Sequence, residues 1–423
     1  MSDHDMQVID QSQEADPSVQ IAPVPRVSIQ AFCETSTTAA IVNDAMADRR
    51  MSKAHVKVHM GGGPAAVETY RTAPTPNVIV IESTSNRAEL LQSLDELSEF
   101  CDSGTKVIVA GRLNDIALYR ELMARGVSEY LVAPFDVVTF IRAMSELYST
   151  PGAEPVGRVI AVAGAKGGVG ASTIAHNLAW STARDLDLAT VVADLDLGFG
   201  TAGLDFNQDP PQGIAEAVFA PDRLDAAMLD RLLSKCSEKL SLLAAPAALD
   251  RMYDFNETSF DTIIDVLRAT VPVIVLDVPH MWSAWSRRML VAADEVLIVA
   301  SPDLANLRNA KNLFDNLRAA RPNDSKPKLI MNCVGVQKRP EISVADFAKA
   351  IEVDPAIVIP FDPKLFGTAA NNGQMIAEVE ASSPIAASFS EMARVMTGRS
   401  EIRKAKKSLL EPILQRLGRK KAS

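Results

Sequence analysis

The segment Val159–Thr173, VIAVAGAKGGVGAST, points most directly to chemistry through its residue types and spacing. An apolar run enters a turn holding Gly167, Gly168 and Gly170, and the turn opens into IAHNLAWSTAR, which has helical spacing. A buried strand, a glycine turn and a helix in that order aim backbone N–H groups and the positive end of the helix dipole at one point. Glycine lets the main chain approach an anion where a Cβ would collide. The spacing predicts a cradle for phosphate oxygens built from Gly167, Gly168, Val169, Gly170, Ala171, Ser172 and Thr173, with the Ser172 hydroxyl on a Mg2+ ion. A glycine turn can also join a strand to a helix and bind nothing, but acids downstream argue against that here. Asp277 closes the apolar run VPVIVLD, where a carboxylate would hold Mg2+ through water, because that ion gives up its hydration shell reluctantly. Asp194 and Asp196 close another such run in VVADLDLGFG, either as site acids or as loop acids capping the next segment.

These side chains need a sheet to hold them. Val159–Val162, Ala189–Ala193, Val273–Leu276, Glu295–Val299 and Leu329–Met331 are the most apolar runs in the chain, and continuous runs mark strands buried on both faces. A second series precedes them: Val27–Phe32, Val56–Val58, Asn77–Ile81, Lys106–Ala110 and Glu129–Val132, with helical spacing over Arg87–Phe100 and Ile116–Arg125. The pattern predicts an α/β chain of two doubly wound parallel-sheet domains. The expected layout is a polar, disordered tail over residues 1–25, a first domain over 26–148, a linker over 149–157, a nucleotide-binding domain over 158–397 and a basic tail over 398–423. No internal repeat is present.

Bulk properties narrow the partners. A chain of 423 residues suggests two domains, and a net charge of −10 argues against a general nucleic-acid coat, which needs a basic surface. Cys33, Cys101, Cys236 and Cys333 form no CxxC pair, a pattern suited to a reducing cytoplasm rather than to metal, cluster or disulfide chemistry. The first twenty residues lack the order of a signal peptide, and no apolar run approaches the ~20 residues that span a bilayer. The expectation is a cytoplasmic protein with a membrane surface left open as a partner. In the tail, Arg403, Lys404, Lys406, Lys407, Arg416, Arg419, Lys420 and Lys421 interleave with Leu409, Leu410, Ile413, Leu414 and Leu417. Basic amphipathic helices lie in anionic membrane interfaces. Pro412 interrupts the pattern, and a solvated tail or a helix docked on its own domain is the alternative.

The phosphate-loop segment resembles the deviant Walker A motif of the MinD/ParA family, written GKGGVGKTT, and the match extends over about 240 residues. The resemblance implies ATP and Mg2+ as cofactors and a homodimer, since Lys166 takes the position of the signature lysine that reaches the partner's nucleotide. Ala165 replaces the first glycine, and Ala171 stands in place of the usual phosphate-loop lysine. That lysine neutralises β/γ-phosphate charge during transfer, and losing such a donor costs ~10²–10³-fold in rate. The implied protein binds nucleotide and is at most a weak ATPase. In relatives the second acid of the switch segment orients the attacking water, which gives Asp196 that role and Asp194 a Mg2+ or switch contact. Pro279 after Asp277 fits the family, whereas His280 and Met281 depart from its Ala-Gly. ADEVLIVASPDLANLRNA resembles the next strand and loop, Asn332 in LIMNCV takes the place of an adenine contact, and IPFDP with Pro360 and Asp362 resembles the base-side loop. His176 reads as a packed residue of the helix; Trp282 and Trp285 read as a partner patch or as core.

Residues 26–148 resemble a response-regulator receiver that has lost its chemistry. Glu82 in PNVIVIE takes the phosphoacceptor's place, only Glu34 remains of the acidic pair, and Ala133 in VAPFD replaces the lysine. A degenerate receiver before a MinD/ParA-like domain resembles the CpaE/TadZ family of Flp (Tad) pilus assembly proteins. That resemblance implies a localisation factor, often polar and on the inner face of the membrane, that meets the pilus secretion ATPase and assembly proteins. The alternatives are an active partition- or division-site ATPase, which would want lysine at position 171, and a kinase or iron–sulfur reductase, which would want C-terminal tyrosines or cluster cysteines.

Overall fold

The computed structural model describes residues 21–102, 104–148, 156–247, 249 and 252–398. The expected N-terminal tail, linker and basic tail lie outside these residues except at 21–25, 156–157 and 398. The described residues form two compact units, one on each of two sheets, and the first also takes in Arg287–Asp294 and Asp315–Lys326.

The first sheet has five strands: β1 Ser28–Cys33, β2 His55–Met60, β3 Val78–Ser83, β4 Lys106–Gly111 and β5 Glu129–Val132. All pairs are parallel, in the order β2-β1-β3-β4-β5, the flavodoxin-like order that the receiver resemblance implied. Alternate residues feed two cores. Ile29, Ala31, Val78, Val80 and Ile108 pack with Phe140 and Ile141 on one face, while Phe32, Ile79, Ile81 and Val109 pack with Leu94, Leu118 and Leu122 on the other. Each of the larger side chains contributes about 1.5–3 kcal/mol by leaving water, and β3 is apolar on both faces because both are covered.

The second sheet holds eight strands: β6 Arg158–Gly164, β7 Thr190–Asp194, β8 Ser234–Lys235, β9 Leu240–Leu243, β10 Val273–Val278, β11 Glu295–Ala300, β12 Lys328–Val334 and β13 Pro355–Pro360. Their order is β13-β12-β11-β6-β10-β7-β9-β8. Every pair is parallel except the β8–β9 hairpin. Three of these strands carry little sequence signal. β8 is two residues long, β9 is four, and β13 begins and ends with proline, which cannot donate to a ladder and so suits the sheet edge where it lies. The order sets β6 centrally, and the loop after it opens between β11 and β10 at the carboxyl ends of the strands. The helix Ala171–Leu186 that follows buries Ile174, Ala175, Leu178, Ala179 and Ala183 in the core.

Candidate functional site

The main chain turns at the end of β6 through Gly168 and Gly170, with φ of 77° and 83°, values that disfavour any side chain. A Cβ built on Gly168 would meet nothing within 4 Å, and one on Gly167 only His280 Cδ2 at 3.9 Å. The loop therefore borders open space. Its helix starts at Gly170, which has no side chain to cap the first-turn N–H groups, whereas the helices beginning after Thr35, Asn86, Asp115, Asp136, Ser343 and Ser383 all receive a side-chain cap. Uncapped N–H groups beside open space fit a polyphosphate. Lys166 is exposed on this loop, and Ala171, Ser172 and Thr173 are half-buried at the start of the helix.

Side chains from a helix, a strand and the segment after β10 brace the loop. The Asn309 amide donates to the Ala165 carbonyl (2.9 Å), Asn332 Nδ2 donates to the Val169 carbonyl (2.8 Å), and His280 Nδ1 lies 2.9 Å from the Gly164 carbonyl. The last contact gives the unexpected His280 a place against the loop. Asp303 is held below the usual carboxylate range: burial works the other way, but hydrogen bonds from Asn306 and the charge of Lys166 outweigh it.

Asp277 and Asp194 are register partners at the ends of β10 and β7, so two buried carboxylates stand side by side. Burial and the charge of Asp277 push the Asp194 carboxyl up, against the pull of His176 and of backbone N–H donors. Asp194 accepts from Asp196 N (3.1 Å) and Ala202 N (3.2 Å), and a Cβ on Gly200 would lie 2.3 Å from its Oδ2. The loop after β7 thus wraps the Asp194 carboxylate, while half-buried Asp196 accepts from Phe199 N at 3.0 Å. Two carboxylates side by side at the loop are donors of the type a hard cation takes. Among the described residues no three His, Cys, Asp or Glu side chains are arranged as a metal cage. Mg2+ does not need one, since it takes one or two carboxylates plus substrate phosphates and keeps its waters. Asp277 and the Ser172 hydroxyl are the groups that would hold it.

His176, one turn into the loop helix, is fully buried. Its Nδ1 is 2.7 Å from Asp205 Oδ2, and its Nε2 is 3.3 Å from Asp277 Oδ2 but not aligned for a hydrogen bond. Burial opposes its charge, yet the contacts with Asp205 and Asp277 raise its pKa to about 10. On the far side of the loop, Asn332 is buried, Pro360 is exposed, and Asp362 caps the helix Pro363–Asn372 by accepting from Leu365 N at 2.9 Å. Trp285 is core, packed on Phe255 and Phe260, whereas Trp282 is 53% exposed.

In the first unit, the acceptor position is filled by its own fold. Glu82 Oε2 accepts from Glu34 N (2.7 Å) and Thr35 N (2.8 Å), and Oε1 accepts from the Thr35 (2.6 Å) and Thr38 (2.7 Å) hydroxyls. Burial raises its pKa, but these four bonds win and hold it below the usual range. Glu34 is likewise engaged, accepting from Thr84 N at 2.7 Å. The bonds of Glu82, the Asp205 partner of His176 and the Asn309 brace carry no sequence signature, because each joins residues distant in the chain.

A phosphate loop after the central strand of a parallel sheet, with acids closing two neighbouring strands, defines a MinD/ParA-like P-loop domain. A family model described as an AAA domain matches residues 157–331. The septum site-determining protein MinD of Synechocystis sp. is 29% identical over 269 residues, which cover 62% of this chain and 98% of that one. The crystal structure of a ParA family ATPase from Chlorobium tepidum is 25% identical with a TM-score of 0.51, covering 56% of this chain and 98% of that one. The pilus assembly protein CpaE from Caulobacter crescentus is 49% identical over 31% of this chain and 100% of the solved chain, with a TM-score of 0.30. With 49% identity over the whole of that solved chain, this chain belongs to the CpaE/TadZ family, the family resembled by its sequence.

Proposed function

We propose that this protein is a nucleotide-dependent localisation and assembly factor for a Flp (Tad) type pilus, and that ATP with Mg2+ joins two copies of it with little hydrolysis. The observation that carries the nucleotide reading is the uncapped helix start at Gly170 facing open space beside Gly167 and Gly168. Residues 167–173 bind the phosphates through backbone N–H groups, and Ser172 and Asp277 hold the cation, with Asp194 keeping the adjoining loop in place. Asn332, Pro360 and Asp362 border the base. Lys166 is exposed on the loop, where it can meet a second copy's nucleotide.

Catalysis is weak because Ala171 supplies no cation for the charge that builds on the phosphates. Asp196 remains to position water. A bound nucleotide then acts as the glue of a dimer rather than as fuel, which suits a protein that marks where a machine is built. Its partners are the pilus secretion ATPase and assembly proteins, met in the cytoplasm or at the inner face of the membrane at a pole. No helix among the described residues is long and apolar enough to cross a membrane, so contact with a bilayer falls to the basic segment 398–423. Nucleic acid is disfavoured by the net charge of −10.

The test is calorimetry with ATP and ADP in Mg2+, followed by mass in solution with each nucleotide for the wild type and Lys166→Ala. Binding of both nucleotides and an ATP-specific doubling of mass, lost in Lys166→Ala, is the expected result. Absence of any nucleotide binding would remove the proposal.

A further inference from the structure

The helix Ala171–Leu186 carries a buried side chain that the phosphate loop does not need for its own shape. His176 lies between two carboxylates from different segments: Asp277, at the end of β10, and Asp205, the last residue of the short helix Ala202–Asp205 beyond β7. Its ring also packs on Phe206, with centroids 5.3 Å apart. The two contacts are unequal. Nδ1 holds Asp205 at hydrogen-bond distance, while Nε2 sits 3.3 Å from Asp277 out of line and has no hydrogen-bond partner. A fully buried ring nitrogen without an aligned partner is costly, so this contact is the one with most to gain from a rearrangement.

Asp205 closes a segment that is well placed to report such a rearrangement. The loop starts at Asp194, whose carboxylate receives Asp196 N and Ala202 N, and it passes Phe199 and Leu204, which are 78% and 72% exposed. Two large apolar side chains in solvent a few residues from the His176–Asp205 pair are the visible end of the same segment. On its other side, a Cβ on Gly373 would stand 2.7 Å from the Leu204 carbonyl, so the segment also abuts the end of the helix Pro363–Asn372. The neighbouring residue on the loop helix, Asn177, accepts from Ile376 N at 2.8 Å just beyond.

We propose that His176 is a positioning residue that couples occupancy of the cation site at Asp277 to the arrangement of the segment Phe199–Phe206. This rests on the reading of Asp277 as a cation-holding acid. The Asp277 oxygen that His176 approaches belongs to the carboxylate assigned to the cation, so ring and cation would share one buried carboxylate. When the cation takes a share of that carboxylate, the imidazole loses its weaker contact and keeps the stronger one, and Asp205 moves with it. The segment bearing Phe199 and Leu204 then differs between the cation-loaded and cation-free states. Groups that orient a metal ligand from behind typically change metal affinity by about 10–100-fold when removed.

The experiment measures amide hydrogen exchange over residues 196–207 in the full chain with ATP, adding either Mg2+ or EDTA, alongside the Mg2+ concentration dependence of ATP binding. In the wild type, Mg2+ changes exchange in this segment. In His176→Ala that response is lost, and the Mg2+ concentration for half-maximal binding shifts by about tenfold. Asp205→Asn, which keeps the side-chain size and removes the charge behind the ring, loses the exchange response in the same way and carries the test if His176→Ala does not fold. A purely structural histidine would alter stability yet leave the Mg2+ response of the segment intact in both variants, and that result overturns the proposal. If the wild type binds ATP but its segment ignores Mg2+, the coupling falls while the nucleotide reading stands. If the wild type binds no ATP, both fall together.

Discussion

Asn332 Nδ2 donates to the Val169 carbonyl at 2.8 Å, so the residue read from sequence as a base contact is in the structure a brace of the loop after β6. The same nitrogen would lie 2.7 Å from a Cβ placed on Gly170. Asn332→Ala strands a carbonyl inside the loop and should cost about 1–3 kcal/mol. Gly170→Ala adds a backbone penalty at φ 83° and should cost about the same again. Thermal denaturation and ADP calorimetry should show both variants less stable and weaker in nucleotide binding; an Asn332→Ala protein indistinguishable from wild type in both would deny the brace.

Ala171 sets the expected rate. Purified protein should release phosphate far more slowly than one turnover per second, and Ala171→Lys should raise the rate by ~10²–10³-fold if only the missing cation limits the step. Several turnovers per second by the wild type in a phosphate-release assay would contradict the assignment.

Glu82 makes the first domain sensitive to acid. Its carboxyl is held below the ordinary glutamate value of 4.5 by four hydrogen-bond donors, so its contribution to stability is present above that value and is lost as pH falls through the lowered folded value. Glu82→Gln should therefore destabilise the protein by about 1.5–3 kcal/mol near neutrality, and the gap from wild type should narrow below pH 4.5. Denaturant titrations across pH 3–7 measure it, and a gap that widens in acid would reverse the sign. With the carboxylate already engaged, acetyl phosphate and BeF3− should not incorporate at Glu82; mass spectrometry reads the outcome.

Removing residues 399–423 should lower flotation with anionic liposomes and leave nucleotide binding unchanged. Equal flotation with and without this segment would take the membrane out of the proposed function.

The two parallel sheets, the glycine turn after β6 and most strands were legible in the sequence because they rest on local chemistry. Glycines at 168 and 170 permit a backbone path that other residues resist, and apolar runs ending in Asp194 and Asp277 mark parallel strands whose carboxyl ends gather at one edge. The missing lysine at 171 needed only an alignment of residue types. β8, β9 and β13 were not legible, since two to six residues with prolines at the ends carry too little periodicity, and sheet pairing alone makes them strands. Tertiary structure also decided what each acid meets. Asp194 is wrapped by the loop that follows it, Glu82 is enclosed by Thr35 and Thr38, and His176 bridges Asp205 and Asp277, 29 and 101 residues away in sequence. A side chain's residue type states what it can donate or accept, but its partner is set by which distant segments the sheet brings within hydrogen-bond reach.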